Sequence, residues 1–499
     1  MKKVLTIILI IASSMLSCKT IKDGSTESGR PNIILINADD LGYAGLGCYG
    51  QELILTPNID KMATDGMRFT DFYSPNTVCV PSRTGLVLGM HPGHSPIRDN
   101  STPHTQNFGE RMKSWPEELW PPELPTIGRI MKDAGYKTAQ FGKLEAGIPM
   151  EEGKMTEHGW DYWFGFKGTG AAFQYYPHEL WKNDKRITFP QNEGDSVSRP
   201  GILGDKGVYS EELFIEEIEN YIRENRDSTF FIYFPTQIPH GRSPLDGDEI
   251  QLPDIGQYAD RDWTHLEKLY AACVSRLDSD VGRIISLLKE LGIEENTIVF
   301  FTSDNGDENS YYKYTDRFNG TGPLKGKKRY LYEGGIRVPM IALWPGTIVP
   351  GTESDIPAAG WDFVSTFSDL ANVSPPAHTD GISLVPILTG NIKELEKRDY
   401  LYWEYHWGKQ QTVRIGKYKG IRIGGTEEPI ELYDLSSDLG ENNNIADEHP
   451  ALVNQIDSIM LAARAGSPFN RYWPLPEHRL YDSREDKWIF DNIANNFAK

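Results

Sequence analysis

The chain has 499 residues, of which 39% are hydrophobic and 11% aromatic, and its formal net charge is -20. This apolar content is too high for a disordered chain and is enough for one large domain with a smaller appendage. The negative charge disfavours a surface for nucleic acid or anionic membrane, so an anionic substrate would need a local group of cations.

The first segment, residues 1–18, is typical of an export signal. Lys2 and Lys3 precede an apolar run that is too short to span a bilayer, and small residues lead to Cys18. Cys18 resembles the lipidated cysteine of a bacterial lipoprotein signal, and ordinary signal-peptide cleavage is the alternative. We therefore expect an exported protein, either periplasmic or anchored as a lipoprotein at the cell surface, with residues 19–30 as a tether.

Short apolar runs alternate with amphipathic segments over residues 31–390. This alternation predicts an α/β domain whose large, mostly parallel sheet is flanked by helices, with ligands bound at the carboxyl ends of the strands. The predicted strands are 33–36, 138–141, 230–234, 297–302 and 340–344, and the predicted helices are 56–66, 126–135, 211–224 and 263–291.

The pattern changes in residues 391–499, which we predict to form a smaller C-terminal subdomain. Four short alternating segments, 400–404, 412–415, 418–423 and 430–433, predict an antiparallel sheet, and a helix is expected over 450–465. The chain contains only four cysteines, which disfavours a disulfide framework. Of these, Cys273 shares an apolar helical face with leucines and is expected in the core.

Charged and polar side chains follow several of the predicted strands. Carboxylate and amide oxygens are ligands that suit Ca²⁺ or Mg²⁺ rather than zinc. Each acidic residue alone is equally consistent with a helix cap or a solvated loop, but together they predict a metal site with cations beside it. The set comprises Asp39, Asp40, Lys143, His240, Asp304 and Asn305.

The segment Cys79-Val80-Pro81-Ser82-Arg83 carries the most specific motif of the chain. Pro81 suits the first position of a helix, which would place Cys79 beside exposed N–H groups that attract anions. A buried, unreactive thiol is the alternative. The motif resembles the signature of type I sulfatases, members of the alkaline-phosphatase superfamily, in which this cysteine is oxidised to formylglycine.

The resemblance extends over residues 31–388 and 400–444 and implies an alkaline-phosphatase-like fold and hydrolysis of sulfate esters. It implies that one Ca²⁺ is bound by the two pairs of strand-end ligands together with the modified Cys79. Arg83 would hold residue 79 in place. The segments around Lys143 and Lys328 resemble those that carry the sulfate-binding lysines, and His240 would protonate the leaving alcohol. The implied metal ligands are Asp39, Asp40, Cys79, Asp304 and Asn305.

The resemblance further implies a route in two steps. A hydroxyl of the hydrated aldehyde at residue 79 attacks sulfur, and loss of the proton from the second hydroxyl then expels sulfate. A separate formylglycine-generating enzyme must convert Cys79. One departure from the family is Glu145, which stands where some sulfatases carry a histidine. Glu145 is expected either to accept a proton from the second hydroxyl or to point away from the sulfate.

The expected substrate is a sulfated saccharide. The export signal and the aromatic stretch 173–183 favour a sugar, because sugars stack on aromatic rings. His94 and Arg98 follow the nucleophile helix and are candidate substrate contacts, with loop structure as the alternative. Tyr175, Tyr176 and Trp181 could equally be packing residues, and Glu404, His406 and Trp407 could reach over the site.

Two other functions remain open at this stage. The first is a phosphonate or phosphate monoester hydrolase of the same superfamily, which can share the metal ligands and the formylglycine. The second is an inactive lipoprotein that binds glycans and retains only the fold.

Overall fold

The computed structural model describes residues 29–98, 100, 124–143, 158–166, 169–192, 201–202, 207–241, 250–308, 313–405, 409–464, 481–482 and 487–488. The predictions about Cys18, Glu145, His406 and Trp407 lie outside these residues. None of the described helices combines the length and the apolar character that a bilayer crossing requires.

The strands are numbered in chain order. They are β1 (Asn32–Ala38), β2 (Met67–Phe69), β3 (Phe72–Tyr73), β4 (Lys137–Gly142), β5 (Tyr162–Gly165), β6 (Glu179–Lys182), β7 (Lys185–Thr188), β8 (Gly201–Ile202), β9 (Phe230–Pro235), β10 (Gln251–Leu252), β11 (Thr297–Ser303), β12 (Met340–Leu343), β13 (Thr352–Ser354), β14 (Ala358–Ala359), β15 (Leu401–Tyr405), β16 (Gln410–Ile415), β17 (Tyr418–Ile423), β18 (Ile430–Asp434), β19 (Tyr481–Asp482) and β20 (Lys487–Trp488).

The α-helices are α1 (Pro57–Asp65), α2 (Cys79–Leu88), α3 (Ile127–Asp133), α4 (Ser210–Asn225), α5 (His265–Glu290), α6 (Glu333–Ile336), α7 (Asp362–Leu370), α8 (Val385–Leu388) and α9 (Pro450–Ala462). The predicted helix over 263–291 is α5, which begins with a capping box in which Thr264 and Glu267 exchange hydrogen bonds. Cys273 lies on this helix and is fully buried, as expected.

The main sheet has ten strands in the order β13-β2-β12-β11-β1-β9-β4-β5-β6-β7. The five central strands β11, β1, β9, β4 and β5 are parallel, whereas β12, β6 and β7 add antiparallel pairs toward the edges. This arrangement confirms the predicted mostly parallel sheet. Because the five central strands run in one direction, the segments that follow them all meet at one edge.

Alternating side chains of β1 pack on opposite faces of the sheet. Ile34 and Ile36 belong to the core shared with α1, α4 and α5, and Ile33 and Leu35 to the core shared with α2, α3 and α7. A strand that is buried on both faces has apolar residues at successive positions, and this continuous run is why the sequence predicted β1 clearly.

The C-terminal strands β15, β16, β17 and β18 form an antiparallel sheet in that order, as predicted. One face packs against α9. The other face packs against the segment that precedes α2, where the Trp403 indole donates to Ser74 O at 2.9 Å and the Asn76 amide donates to Glu404 O at 3.1 Å. The small sheet therefore supports the start of α2.

A buried ion cluster joins this small sheet to the larger domain. The Lys419 ammonium on β17 lies 2.9 Å from Glu333 and 2.9 Å from Glu441, and none of the three side chains is exposed. Arg337 pairs with the second oxygen of Glu333 at 3.0 Å. Burial acts to raise the pKa of Glu333, but Lys419 and Arg337 outweigh burial and lower that pKa to about 2.

Replacing Lys419 with methionine is expected to destabilise the protein by about 3–5 kcal/mol, because it leaves two buried carboxylates without their shared cation. Chemical denaturation measures the effect. The matched control is Lys417→Met, which removes an exposed lysine paired with Asp434 and is expected to change stability little. Equal stability of the two variants would show that the cluster contributes nothing to folding.

Candidate functional site

Four of the five predicted metal ligands meet where β1 and β11 end side by side, and the fifth, Cys79, lies at the start of α2. Asp39 and Asp40 follow β1, and Asp304 and Asn305 follow β11. The backbone N–H of Asp304 donates to Ala38 O at 3.0 Å, and that of Asp40 donates to the Asp304 carboxylate at 3.1 Å. Parallel pairing of the two strands therefore brings both acidic pairs into one buried cluster, as the sequence predicted.

Asp40 lies at the centre of this cluster in a strained conformation. Its φ of 67° is in the left-handed region, which is uncommon for a residue other than glycine and recurs at functional sites. The Asn305 amide donates to its carboxylate at 2.7 Å, and His240 Nε2 lies 3.3 Å from the other oxygen. The loop after β9 thus brings His240 to the same cluster.

Two buried lysines complete the set of charges. Lys143 Nζ lies 2.6 Å from Asp39, and Lys328 Nζ lies 2.7 Å and 2.8 Å from the two oxygens of Asp40. Lys143 follows Gly142, whose φ is 98° and where an added Cβ would lie 2.5 Å from Pro235 O. Only glycine allows β4 to turn here and place the lysine beside the aspartates.

Cys79 is the first residue of α2, and Arg83 stands one turn later on the same face. The Arg83 Nε donates to the Asp304 carboxylate at 2.7 Å, which links the helix to the acidic cluster. The helix starts at Cys79 and not at Pro81, which is its third residue. The N–H groups in the first turn of a helix have no intrahelical partner, so a proline there removes no hydrogen bond. The shift of Pro81 from the predicted first position to the third therefore costs little.

Asn100 caps the start of this helix, and no motif in the sequence indicates this role. The N-cap residue, Val78, has no side chain that can accept a hydrogen bond. Instead, Asn100 Oδ1 accepts from the Val80 N–H at 3.3 Å, and its amide nitrogen lies 3.6 Å from Cys79 Sγ. Asn100 therefore holds Cys79 in place through two contacts.

The electrostatics of the cluster reflect its burial. Burial raises the pKa of Asp40 to about 6 and that of Asp304 to about 7. Burial also acts to raise the pKa of Asp39, but Lys143 and His240 outweigh it and hold this pKa well below its ordinary value. Burial and the nearby Lys328 lower the pKa of His240 to about 3, so its imidazole is neutral in this arrangement.

The residues of the cluster fit a hard divalent cation. Asp39 Oδ1 and Asn305 Oδ1 are buried oxygens that accept no hydrogen bond within the part of the chain that the structure describes. Buried polar atoms without partners are uncommon, and a bound ion accounts for them. Asp39, Asp40, Asp304 and Asn305 offer carboxylate and amide oxygens, the ligands that Ca²⁺ prefers.

His240 is oriented by neighbours from the aromatic stretch. Its Nδ1 faces Gly241 O, which places the Nδ1 proton there and turns Nε2 toward Asp40. The Tyr175 hydroxyl donates to His240 O, and the Phe173 ring lies 4.9 Å from the imidazole. Tyr175 and Tyr176 are buried in the main core, which agrees with a packing role, and Trp181 is partly buried.

The two predicted substrate contacts are engaged with protein carboxylates. His94 Nδ1 lies 2.7 Å from Asp380, and the Arg98 guanidinium lies 2.7 Å from Glu404, with both of the latter side chains buried. Arg98 also donates to Gly93 O at 2.6 Å, as a residue that stabilises its loop would do. Their contact with substrate stays a prediction.

Comparison with known proteins agrees with this geometry. Residues 31–373 match the model of the sulfatase family, and residues 326–464 match the C-terminal model of N-sulphoglucosamine sulphohydrolase. The chain is 33% identical to N-acetylgalactosamine-6-sulfatase of Rattus norvegicus over 400 residues, which cover 78% of this chain and 71% of the rat protein. It is 30% identical to human arylsulfatase A, with 88% of each chain covered.

Solved structures show the same fold. The crystal structure of Ps i-CgsB in complex with k-i-k-neocarrahexaose matches with a TM-score of 0.73 at 24% identity, and the match covers 90% of this chain and 98% of that one. The shared fold, the extent of the family match and the convergence of acidic residues, lysines and Cys79 at one sheet edge lead to one conclusion. The chain belongs to the sulfatase family and is a sulfuric ester hydrolase.

Proposed function

We propose that this enzyme removes sulfate from a sulfated saccharide, with a formylglycine made from Cys79 as nucleophile and one Ca²⁺ as cofactor. The observation that carries the proposal is the convergence of three buried cations, Arg83, Lys143 and Lys328, with an acidic metal-type cluster around the start of α2. This arrangement supplies the local positive charge that an acidic chain needs to bind an anion.

The ligand set proposed for Ca²⁺ is Asp39, Asp40, Asp304 and Asn305, with modified residue 79 as a further ligand. When bound, the cation would neutralise sulfate oxygens and lower the barrier to attack by an oxyanion. The formylglycine would supply a hydrated aldehyde whose hydroxyl attacks sulfur, which a plain thiol does not supply.

The chain's own residues bind and orient the ester. Lys143 and Lys328 would hold the sulfate oxygens, since both ammonium groups already lie at the carboxylates where a cation and its sulfate would meet. Arg83 fixes the first turn of α2 against Asp304. His240 turns Nε2 into the site and would give a proton to the departing alcohol. The arriving anionic sulfate favours the protonated imidazole, which offsets the effect of burial on its pKa.

The saccharide is supported by the relatives. The rat relative is named N-acetylgalactosamine-6-sulfatase, and the solved structure of Ps i-CgsB holds k-i-k-neocarrahexaose. The N-terminal segment supports export, and we propose that the enzyme acts in the periplasm or at the cell surface. Mass spectrometry of the membrane fraction tests whether Cys18 is lipidated.

The test is a screen of sulfated mono- and disaccharides with formylglycine-containing enzyme, measured by release of inorganic sulfate. An aryl sulfate and the matching aryl phosphate are compared in the same assay. We expect release from at least one sulfated sugar and faster turnover of the sulfate than of the phosphate. Preference for the phosphate would favour the phosphonate or phosphate hydrolase instead, and glycan binding without any turnover would favour the inactive lipoprotein.

Replacing Asn100 with alanine is expected to lower kcat about tenfold with little change in KM, because the variant loses a helix cap and the contact that orients residue 79. Steady-state kinetics on an aryl sulfate measure both constants. The control is Thr126→Ala, which removes the N-cap of α3 away from the cluster and should reduce stability without changing kcat. An unchanged kcat in the Asn100 variant would assign it a structural role alone.

A further inference from the structure

Glu308 is a buried carboxylate beside the proposed sulfate site that neither the metal set nor the catalytic set uses. It lies four residues after Asp304, and only 3% of the residue is exposed. Its Oε2 lies 3.4 Å from Lys328 Nζ, and its Oε1 lies 2.7 Å from the Arg329 guanidinium. A buried carboxylate next to a binding site for an anion is unfavourable unless cations compensate it.

Arg329 provides the compensation from a strained backbone. Its φ of 78° lies in the region that glycine adopts without cost and other residues avoid. The conformation is fixed on both sides, because its N–H donates to Thr77 O at 3.0 Å and its carbonyl accepts from the Gln410 amide at 2.9 Å. A strained arginine at a position suited to glycine indicates that the side chain has a function there.

The consecutive residues Lys328 and Arg329 therefore hold the two carboxylate oxygens of Glu308. The backbone N–H of Lys328 also donates to Asp307 O at 3.1 Å, which ties the lysine to the loop that carries Glu308. Lys328 bonds Asp40 in the described arrangement, but a cation held by Asp40 would compete for those oxygens. Glu308 would then be the remaining carboxylate that fixes the lysine ammonium.

We propose that Glu308 and Arg329 are positioning residues for the sulfate site. Glu308 fixes the ammonium of Lys328 toward the sulfate, and Arg329 neutralises Glu308 so that its charge does not repel the anion. The inference rests on the proposed function, in which Lys328 binds the sulfate. Two other roles are open to the pair, a structural ion pair alone or direct contact between Arg329 and the sulfate, and the experiment separates them.

The experiment compares Arg329→Gly, Glu308→Gln and the double variant by calorimetric binding of inorganic sulfate to the Ca²⁺-loaded protein and by kcat/KM on an aryl sulfate. Arg329→Gly is expected to weaken sulfate binding and kcat/KM about tenfold each, because Glu308 then opposes the anion and draws Lys328 away. Its melting temperature should fall, because buried Glu308 loses one of its two cations and the relief of backbone strain by glycine offsets only part of that cost.

The double variant is the decisive comparison. With Glu308 neutral, loss of Arg329 should cost little, so sulfate affinity should return to within about threefold of Glu308→Gln alone. A structural ion pair would predict unchanged sulfate affinity in Arg329→Gly, and direct contact of Arg329 with the sulfate would predict no recovery in the double variant. Either result overturns the proposal.

Two controls keep the comparison interpretable. Asn372→Gly relieves a φ of 56° at an exposed turn outside the site and should leave sulfate affinity unchanged. Arg329→Asn tests the same charge loss with a side chain that tolerates positive φ, should the glycine variant fail to fold. A wild type that binds sulfate but hydrolyses no sulfate ester would contradict the proposed function, and the affinities of the variants would still decide the role of the pair.

Discussion

Replacing Cys79 with alanine is expected to reduce sulfate ester hydrolysis by at least about 10⁴-fold, the scale of loss seen when a covalent nucleophile is removed. The reason is positional as well as chemical. Residue 79 is the first residue of α2, buried near Lys328 and Arg83, and Asn100 contacts its side chain. No other cysteine within the described residues lies at this cluster, because Cys48 and Cys273 pack with the core around α1 and α5.

The measurement pairs turnover of an aryl sulfate with mass spectrometry of the peptide that contains residue 79. Active wild type should show the mass of the aldehyde, and protein from a host without the modifying enzyme should show the thiol and no activity. The matched control is Cys48→Ala, which removes a half-buried thiol and should retain activity. Full activity with an unmodified Cys79 would contradict the formylglycine proposal.

Removal of the proposed Ca²⁺ is expected to lower activity on the order of a thousandfold and to destabilise the fold, because the cation would neutralise both the carboxylates and the sulfate. Adding Ca²⁺ at a hundred times its dissociation constant should raise the free energy of unfolding by about 2.7 kcal/mol. The double substitution Asp304→Ala and Asn305→Ala should abolish this increase. Thermal melting with and without chelator measures it independently of activity.

The stabilisation by Ca²⁺ should also depend on pH. In the described arrangement burial raises the pKa of Asp40 to about 6 and that of Asp304 to about 7, so protons compete with the cation below these values. The increase in melting temperature should be complete above pH 7 and lost as the pH falls through 7 toward 5. Asp278→Asn is the control, since this buried carboxylate binds Asn58 and Ile59 away from the site. A chelated protein that keeps full activity would contradict the assignment.

The sequence predicted four of the five central strands, β1, β4, β9 and β11, and their polar ends because both signals are local, but it missed the fifth, β5. An apolar run such as residues 33–36 can only be a buried element, and the acidic pair that follows marks its end. The short edge strands β2, β6 and β7 and the helix α7 were missed, because their few residues pack by contacts with segments distant in the chain. The position of an edge strand depends on its neighbours more than on its own residues.

The same distinction explains which site residues were found. Asp39, Cys79 and Asp304 stand in motifs that can be recognised within a few residues. Asn100 and Glu308 act through side chains that reach the site only after the chain has folded, and nothing in their immediate sequence marks them. Arg329 follows Lys328 directly, but its positive φ is a property of the folded backbone and leaves no mark in the sequence.

The contact between the C-terminal sheet and the segment before α2 limits how this enzyme can diverge. The Trp403 indole donates to Ser74 O, and the Glu404 carbonyl accepts from the Asn76 side-chain amide. Gln410 accepts from the Leu331 N–H in the loop that carries Lys328. Insertions in these strands are therefore expected to displace Cys79 and Lys328 together. A change of substrate preference should be easier to engineer in loops outside these contacts than in the sheet itself.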